Sequence, residues 1–79
     1  MSMNNANTPA GFVAVTPSDS TQLNLMGVYV GGTGNLNVVD ALGVTTLFSS
    51  VPAGMLISGR IVQVKSTSTT ATLIVGFVA

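Results

Sequence analysis

Residues 29–39 read YVGGTGNLNVV: an apolar segment, three glycines within four positions, then further chain. A phosphate-binding loop begins this way, and so does a change of direction between two strands. The P-loop pattern needs a lysine and then Ser or Thr after its last glycine, so that the lysine reaches the phosphates. Here Asn35 follows Gly34. The dinucleotide fingerprint needs a helix directly after its glycines, because the helix N-terminus holds the pyrophosphate. Residues 35–39, NLNVV, alternate with a period of two instead. Both nucleotide readings fail, and the segment is read as two strands joined by a tight β-turn whose glycines supply positive φ.

The same grammar extends in both directions. Candidate strands fall at 12–16, 25–30, 36–39, 44–48, 56–65 and 71–78, rich in Val, Ile, Leu, Thr and Phe. Pro-, Gly-, Ser- and Thr-rich breakers separate them, and no segment carries a 3.6-residue apolar period. This spacing predicts one all-β domain over 12–79, a small antiparallel β-sandwich or barrel of about six strands. Residues 1–11, rich in Asn, Ser and Thr, read as a flexible N-terminal arm. Gly59 sits where the alternation of the fifth segment changes phase, which marks a β-bulge.

The last segment, ATLIVGFV, is apolar on both faces: Leu73, Val75 and Phe77 on one, Ile74 and Val78 on the other. In a chain this small, one of those faces is expected to meet a neighbouring subunit. The Phe77 face holds the larger side chains and is assigned to the subunit's own core. Ile74 and Val78 are then the candidate subunit interface; Arg60 and Lys65 are read either as the positive half of an intersubunit ion pair or as solvated charges at strand edges.

Composition also points to assembly. A chain of 79 residues buries only about 60% of the surface its unfolded form exposes, and small domains rely on disulfides, metals or partners. With no Cys and no His, and with Asp19 and Asp40 as the only carboxylates, disulfides are excluded and no metal site is expected. Asp19, Asp40, Arg60 and Lys65 are the only charged side chains and they cancel, so the surface lacks the repulsion that keeps small domains apart. Two separated cations do not track a phosphate backbone, so no nucleic-acid partner is expected. Apolar runs are far shorter than the roughly 20 residues of a membrane-spanning helix, and residues 1–12 show no export signal. A serine nucleophile would lack its usual base, and both Asp residues stand in turn contexts. Neither catalytic nor cofactor-binding residues are assigned. A glycan- or receptor-binding module would depend on Tyr29 beside Asn35 and Asn37.

The succession of motifs is more informative than any one of them. AVTPSDST at 14–21 leads into GVYVGGTGNLNVV at 27–39, and VPAGMLISGRIVQVKSTSTTAT follows at 51–72. In this order they resemble the small head-spike base and capsid decoration proteins of tailed phages and gene transfer agents. The resemblance implies a non-enzymatic virion protein, made in the host cytoplasm and placed on the capsid exterior. It implies the major capsid protein as a partner, with a spike or fibre protein as a further one. A homo-oligomer is expected, a pentamer first and a trimer second. The alternatives are the glycan- or receptor-binding module and a subunit of another self-assembled shell or fibre.

Overall fold

A computed structural model describes residues 11–78, and all of the regular structure in them is strand. The strands are β1 (Gly11–Val15), β2 (Leu25–Gly32), β3 (Gly34–Asp40), β4 (Thr45–Val51), β5 (Met55–Val64) and β6 (Thr72–Val78). The expected arm at 1–11 lies, apart from Gly11, outside the described residues. Each candidate strand corresponds to an observed one.

All six strands join one open antiparallel sheet in the order β1-β6-β2-β5-β3-β4. In a flat sheet the outer strands would lie about 24 Å apart, at about 4.8 Å per step. Yet Val15 of β1, Val51 of β4 and buried residues of all the other strands belong to one core cluster. The sheet therefore curls, and its inner face encloses the core. Leu25, Val28, Val30, Leu36 and Val64 lie at its centre, each less than 2% exposed. Bulges supply the curvature. Leu25 pairs with Ile61 and Gly27 with Ser58, so three steps along β5 answer two along β2. The extra residue falls at Gly59–Arg60, where the change of phase predicted it.

The glycines at 31, 32 and 34 have a different role from the one expected. No turn separates the two segments: Gly31 and Gly32 belong to β2, Gly34 belongs to β3, and only Thr33 intervenes. β2 and β3 do not pair with each other, since β5 lies between them. Positive φ occurs instead at Gly43 (84°), Gly54 (87°) and Gly59 (153°). What the first three glycines permit is close approach. A Cβ on Gly34 would stand 2.5 Å from the Ala71 nitrogen and 2.6 Å from the Thr70 carbonyl carbon. A Cβ on Gly31 would stand 2.7 Å from both Cβ and the carbonyl oxygen of Leu73. The chain passes from β2 to β3 pressed against the start of β6, where only glycine fits.

The Ser/Thr-rich stretch between β5 and β6 packs along β3 beyond the point where β5 leaves it. Thr70 and Ala71 donate their N–H groups to the Asn35 carbonyl (2.9 and 3.0 Å), and Lys65 donates its own to Asn37 (2.9 Å). In return Asn35 and Asn37 donate backbone N–H groups to the hydroxyls of Thr70 (2.8 Å) and Thr69 (3.0 Å). The buried Asn37 amide donates to the Thr67 carbonyl at 3.0 Å. A segment with no apolar pattern is thus fixed by hydroxyls that substitute for a strand.

Candidate functional site: the outer face of the sheet

Strand register determines which side chains share the outer face. Phe12, Phe77, Gly27 and Ser58 form one row across β1, β6, β2 and β5. Ala14, Val75, Tyr29 and Leu56 form the next. The rings of Phe12 and Phe77 meet edge to face, with centroids 5.5 Å apart. Phe77 also lies over Gly27, its Cδ2 3.6 Å from where a Cβ would stand. Leu73 extends the patch beside Gly31, with a left-handed φ of 53° and 77% of its surface exposed. A bulky residue held in that conformation stores local strain, and such positions concentrate at functional surfaces. Phe12 is 74% exposed and Leu56 60%. Neither row contains a charged group.

This arrangement reverses the expected faces of β6. Ile74 is 3% exposed and packs in the core opposite Val30 and Val15, while Val78 is partly buried against the same cluster. Phe77 and Val75 turn outward and stay half-exposed. Side-chain size suggested the opposite, but the neighbouring strand decides the matter. On the inner face β2 offers Val28 and Val30; on the outer face it offers Gly27, Tyr29 and Gly31. A row broken by glycines makes a shallow surface that cannot bury Phe77. The signal was present in residues 27–31, provided that β2 and β6 are known to be neighbours.

The remaining candidates do not gather into one site: Asp40 and Arg60 line one groove, while Asp19 and Lys65 lie elsewhere. Arg60 is exposed on the β5 bulge, where its carbonyl accepts the Ala41 N–H at 3.1 Å. Lys65 follows the end of β5 and is half-buried. Asp40 accepts N–H bonds from Leu42 (2.9 Å) and Val44 (3.0 Å) and so closes the β3–β4 turn. Asp19 accepts the Thr67 hydroxyl at 2.6 Å and the Thr67 N–H at 3.1 Å, tying the segment before β2 to the loop after β5. Both carboxylates thus serve turns and loops, as their contexts indicated. The polar groups that a sugar site would use are engaged too, since the Asn35 side-chain oxygen accepts the Ser50 N–H and the Asn37 amide is buried.

The Thr67 hydroxyl, and after it the Thr67 N–H, lowers the Asp19 pKa below the ordinary carboxylate value. A depressed pKa stabilises the fold above the unfolded-state value, and that contribution is lost as pH falls through the folded value. Melting temperature should therefore fall below about pH 4. Asp19→Asn should flatten that acid limb; an unchanged limb would remove Asp19 as its source.

The chain matches no protein-family model and no curated protein. It is similar to a chain of the solved structure described as "Capsid of native GTA particle computed with C5 symmetry", a gene transfer agent particle. The two are 35% identical with a TM-score of 0.77, over 87% of this chain and 82% of that one. This chain belongs to the family of that capsid-particle chain. The motif resemblance to gene transfer agent capsid proteins holds at that level.

Proposed function

We propose that the protein is a structural subunit on the exterior of a phage-like capsid, a head-spike base or decoration protein that works by passive binding. The observation that carries this reading is the outer face of β1, β6, β2 and β5: two uncharged rows with Phe12 and Leu56 open to solvent, and Leu73 exposed beside them. Of the four charged side chains, Asp40 and Arg60 line one groove, but Asp40 is engaged in closing the β3–β4 turn, and Asp19 is engaged with Thr67 elsewhere. The resemblance to spike-base proteins favours a ring of five copies at a capsid vertex. A threefold cluster is the second choice. The major capsid protein is the partner beneath, and a spike or fibre protein is the partner above. Arg60 and Lys65 supply the positive groups for an ion pair across one of these contacts.

Reconstruction of capsid particles made with and without the chain tests the reading. Difference density should appear outside the shell at the fivefold vertices. Density inside the shell, or none, would overturn it. In the isolated protein, Phe12→Ser combined with Leu73→Ser should keep the strand signal in circular dichroism. Both side chains are exposed, and the larger cost is the lost edge-to-face contact of Phe12 with Phe77, about 0.5–1.5 kcal/mol, so the fold should survive. Mass measured by sedimentation should shift toward monomer, and an unchanged mass would remove this face from self-association.

A further inference from the structure

The strands at the two ends of the sheet, β1 and β4, lack the charges and prolines by which monomeric proteins protect an edge. Such edges carry lysine, proline or an inward-pointing charge. GFVAV and TTLFSSV contain none of these. The bulge of β4 at Ser49–Ser50 leaves its residues 45–48 in regular register. Among the described residues, no backbone bond outside the ladders reaches Gly11–Val15 or 45–49. Each edge leaves N–H and carbonyl groups without a partner among the described residues.

The topology determines how a second copy can meet them. Every neighbouring pair is antiparallel, so across six strands β1 and β4 run in opposite directions. A second copy laid head to tail, with the same face outward, therefore brings its β1 antiparallel to β4 of the first. Faces then match as well. Phe48 and Thr46 oppose Leu36 and Val38 and so stand on the inner face, where Phe48 packs against the core. Beside them opens a groove of about 340 Å³, lined in part by Val38, Thr46, Phe48 and Ile57. Val13 stands on the inner face of β1 and is 40% exposed, so in the next copy it would cover the mouth of that groove. On the outer face, Phe12 and Ala14 would continue beside Leu47, which is 47% exposed.

Area favours a seam that includes the edge. The open side chains of the outer rows present roughly 450–500 Å², taking full aromatic side chains at about 150–250 Å². A stable interface needs about 800 Å² from each partner. The outer patch alone falls short of that, so a stable contact between copies has to use surface beyond this face, and the two open edges with the groove beside β4 supply it.

We propose that β1 of one copy pairs antiparallel with β4 of the next, head to tail, and that this strand-to-strand seam closes the ring. It rests on the self-associating subunit proposed above and names the contact that forms it. A head-to-tail interface makes a closed ring when its rotation closes.

The chain contains no cysteine, so engineered disulfides read the seam directly. A disulfide needs Cβ atoms about 3.5–4.5 Å apart, within reach of facing residues on paired strands but not of residues on opposite faces. The full-length chain would be made with Val13→Cys alone, Thr46→Cys alone and Phe48→Cys alone. Val13→Cys would also be combined with Thr46→Cys, with Phe48→Cys and, as a control, with Leu47→Cys. Circular dichroism first verifies strand content in each, and native mass is taken before oxidation. The expected result is a ladder of covalent multimers from V13C/T46C or V13C/F48C, with none from the single variants and none from V13C/L47C. Dimers from Val13→Cys alone would show β1 pairing with itself and overturn the proposal. A ring by native mass with no ladder from either pair would overturn the edge seam and leave the ring standing. A folded monomer in every sample would overturn the ring and the seam with it.

Discussion

Ile74→Asp is expected to abolish the strand signal in circular dichroism at any protein concentration. Ile74 is 3% exposed and lies between Val30 and Val15 on the inner face of the sheet. Shortening it to Ala should cost about 2–5 kcal/mol through lost burial and the cavity left behind. A domain of this length has a total stability of roughly 4–12 kcal/mol, at about 0.05–0.15 kcal/mol per residue. A carboxylate at the same place adds several kcal/mol of desolvation without a partner, which exceeds what the domain can absorb. Phe77→Ala is the contrast. Its ring is half-exposed on the outer face, where the edge-to-face contact with Phe12 is worth about 0.5–1.5 kcal/mol. That variant should stay folded. If Ile74→Asp kept its strands while Phe77→Ala lost them, the two faces of β6 would be the other way round.

The second large effect is at Gly34. Gly34→Ala should lower the urea midpoint at constant slope, with a cost toward the top of the roughly 1–3 kcal/mol typical of overpacking. The atoms that a new Cβ would meet at 2.5–2.7 Å belong to the backbone of Thr70 and Ala71, which no rotamer change can move. Gly43→Asn supplies the comparison. Gly43 has φ of 84° with nothing within 4 Å of where a Cβ would stand, and Asn adopts the left-handed conformation readily. That change should stay within about 0.5 kcal/mol. Equal effects at the two sites would mean that Gly34, like Gly43, serves backbone conformation rather than close approach.

These two cases show what the sequence makes legible. Composition and period-two alternation located the strands, because a strand is a local pattern. The positions of Gly43, Gly54 and Gly59 likewise matched turns and a bulge, since those too are local. Gly31, Gly32 and Gly34 form as strong a local pattern, but their reason lies at 70–73, far along the chain and on another strand. The faces of β6 present the same difficulty. Alternation separates Phe77 from Ile74, yet it does not say which side is inward; that depends on whether Val28 and Val30 or Gly27 and Gly31 lie beneath. The missing charge led to the expectation of a neighbour, but the apolar row of Phe12, Phe77, Tyr29 and Leu56 became visible only when register aligned the strands.

The order of strands also has a consequence in time. β1 is held in the sheet by β6 alone, with Gly11 paired to Val78. Bringing them together closes nearly the whole described chain into one loop, and topologies dominated by such distant pairings fold in about milliseconds to seconds. Until β6 has docked on β2, β1 has no place to pair, and the unfinished sheet ends at β2 instead. A subunit therefore gains the edge it would offer to the next copy only with the completion of its own folding. Half-folded chains lack that edge, so in the proposed ring folding of the subunit precedes assembly.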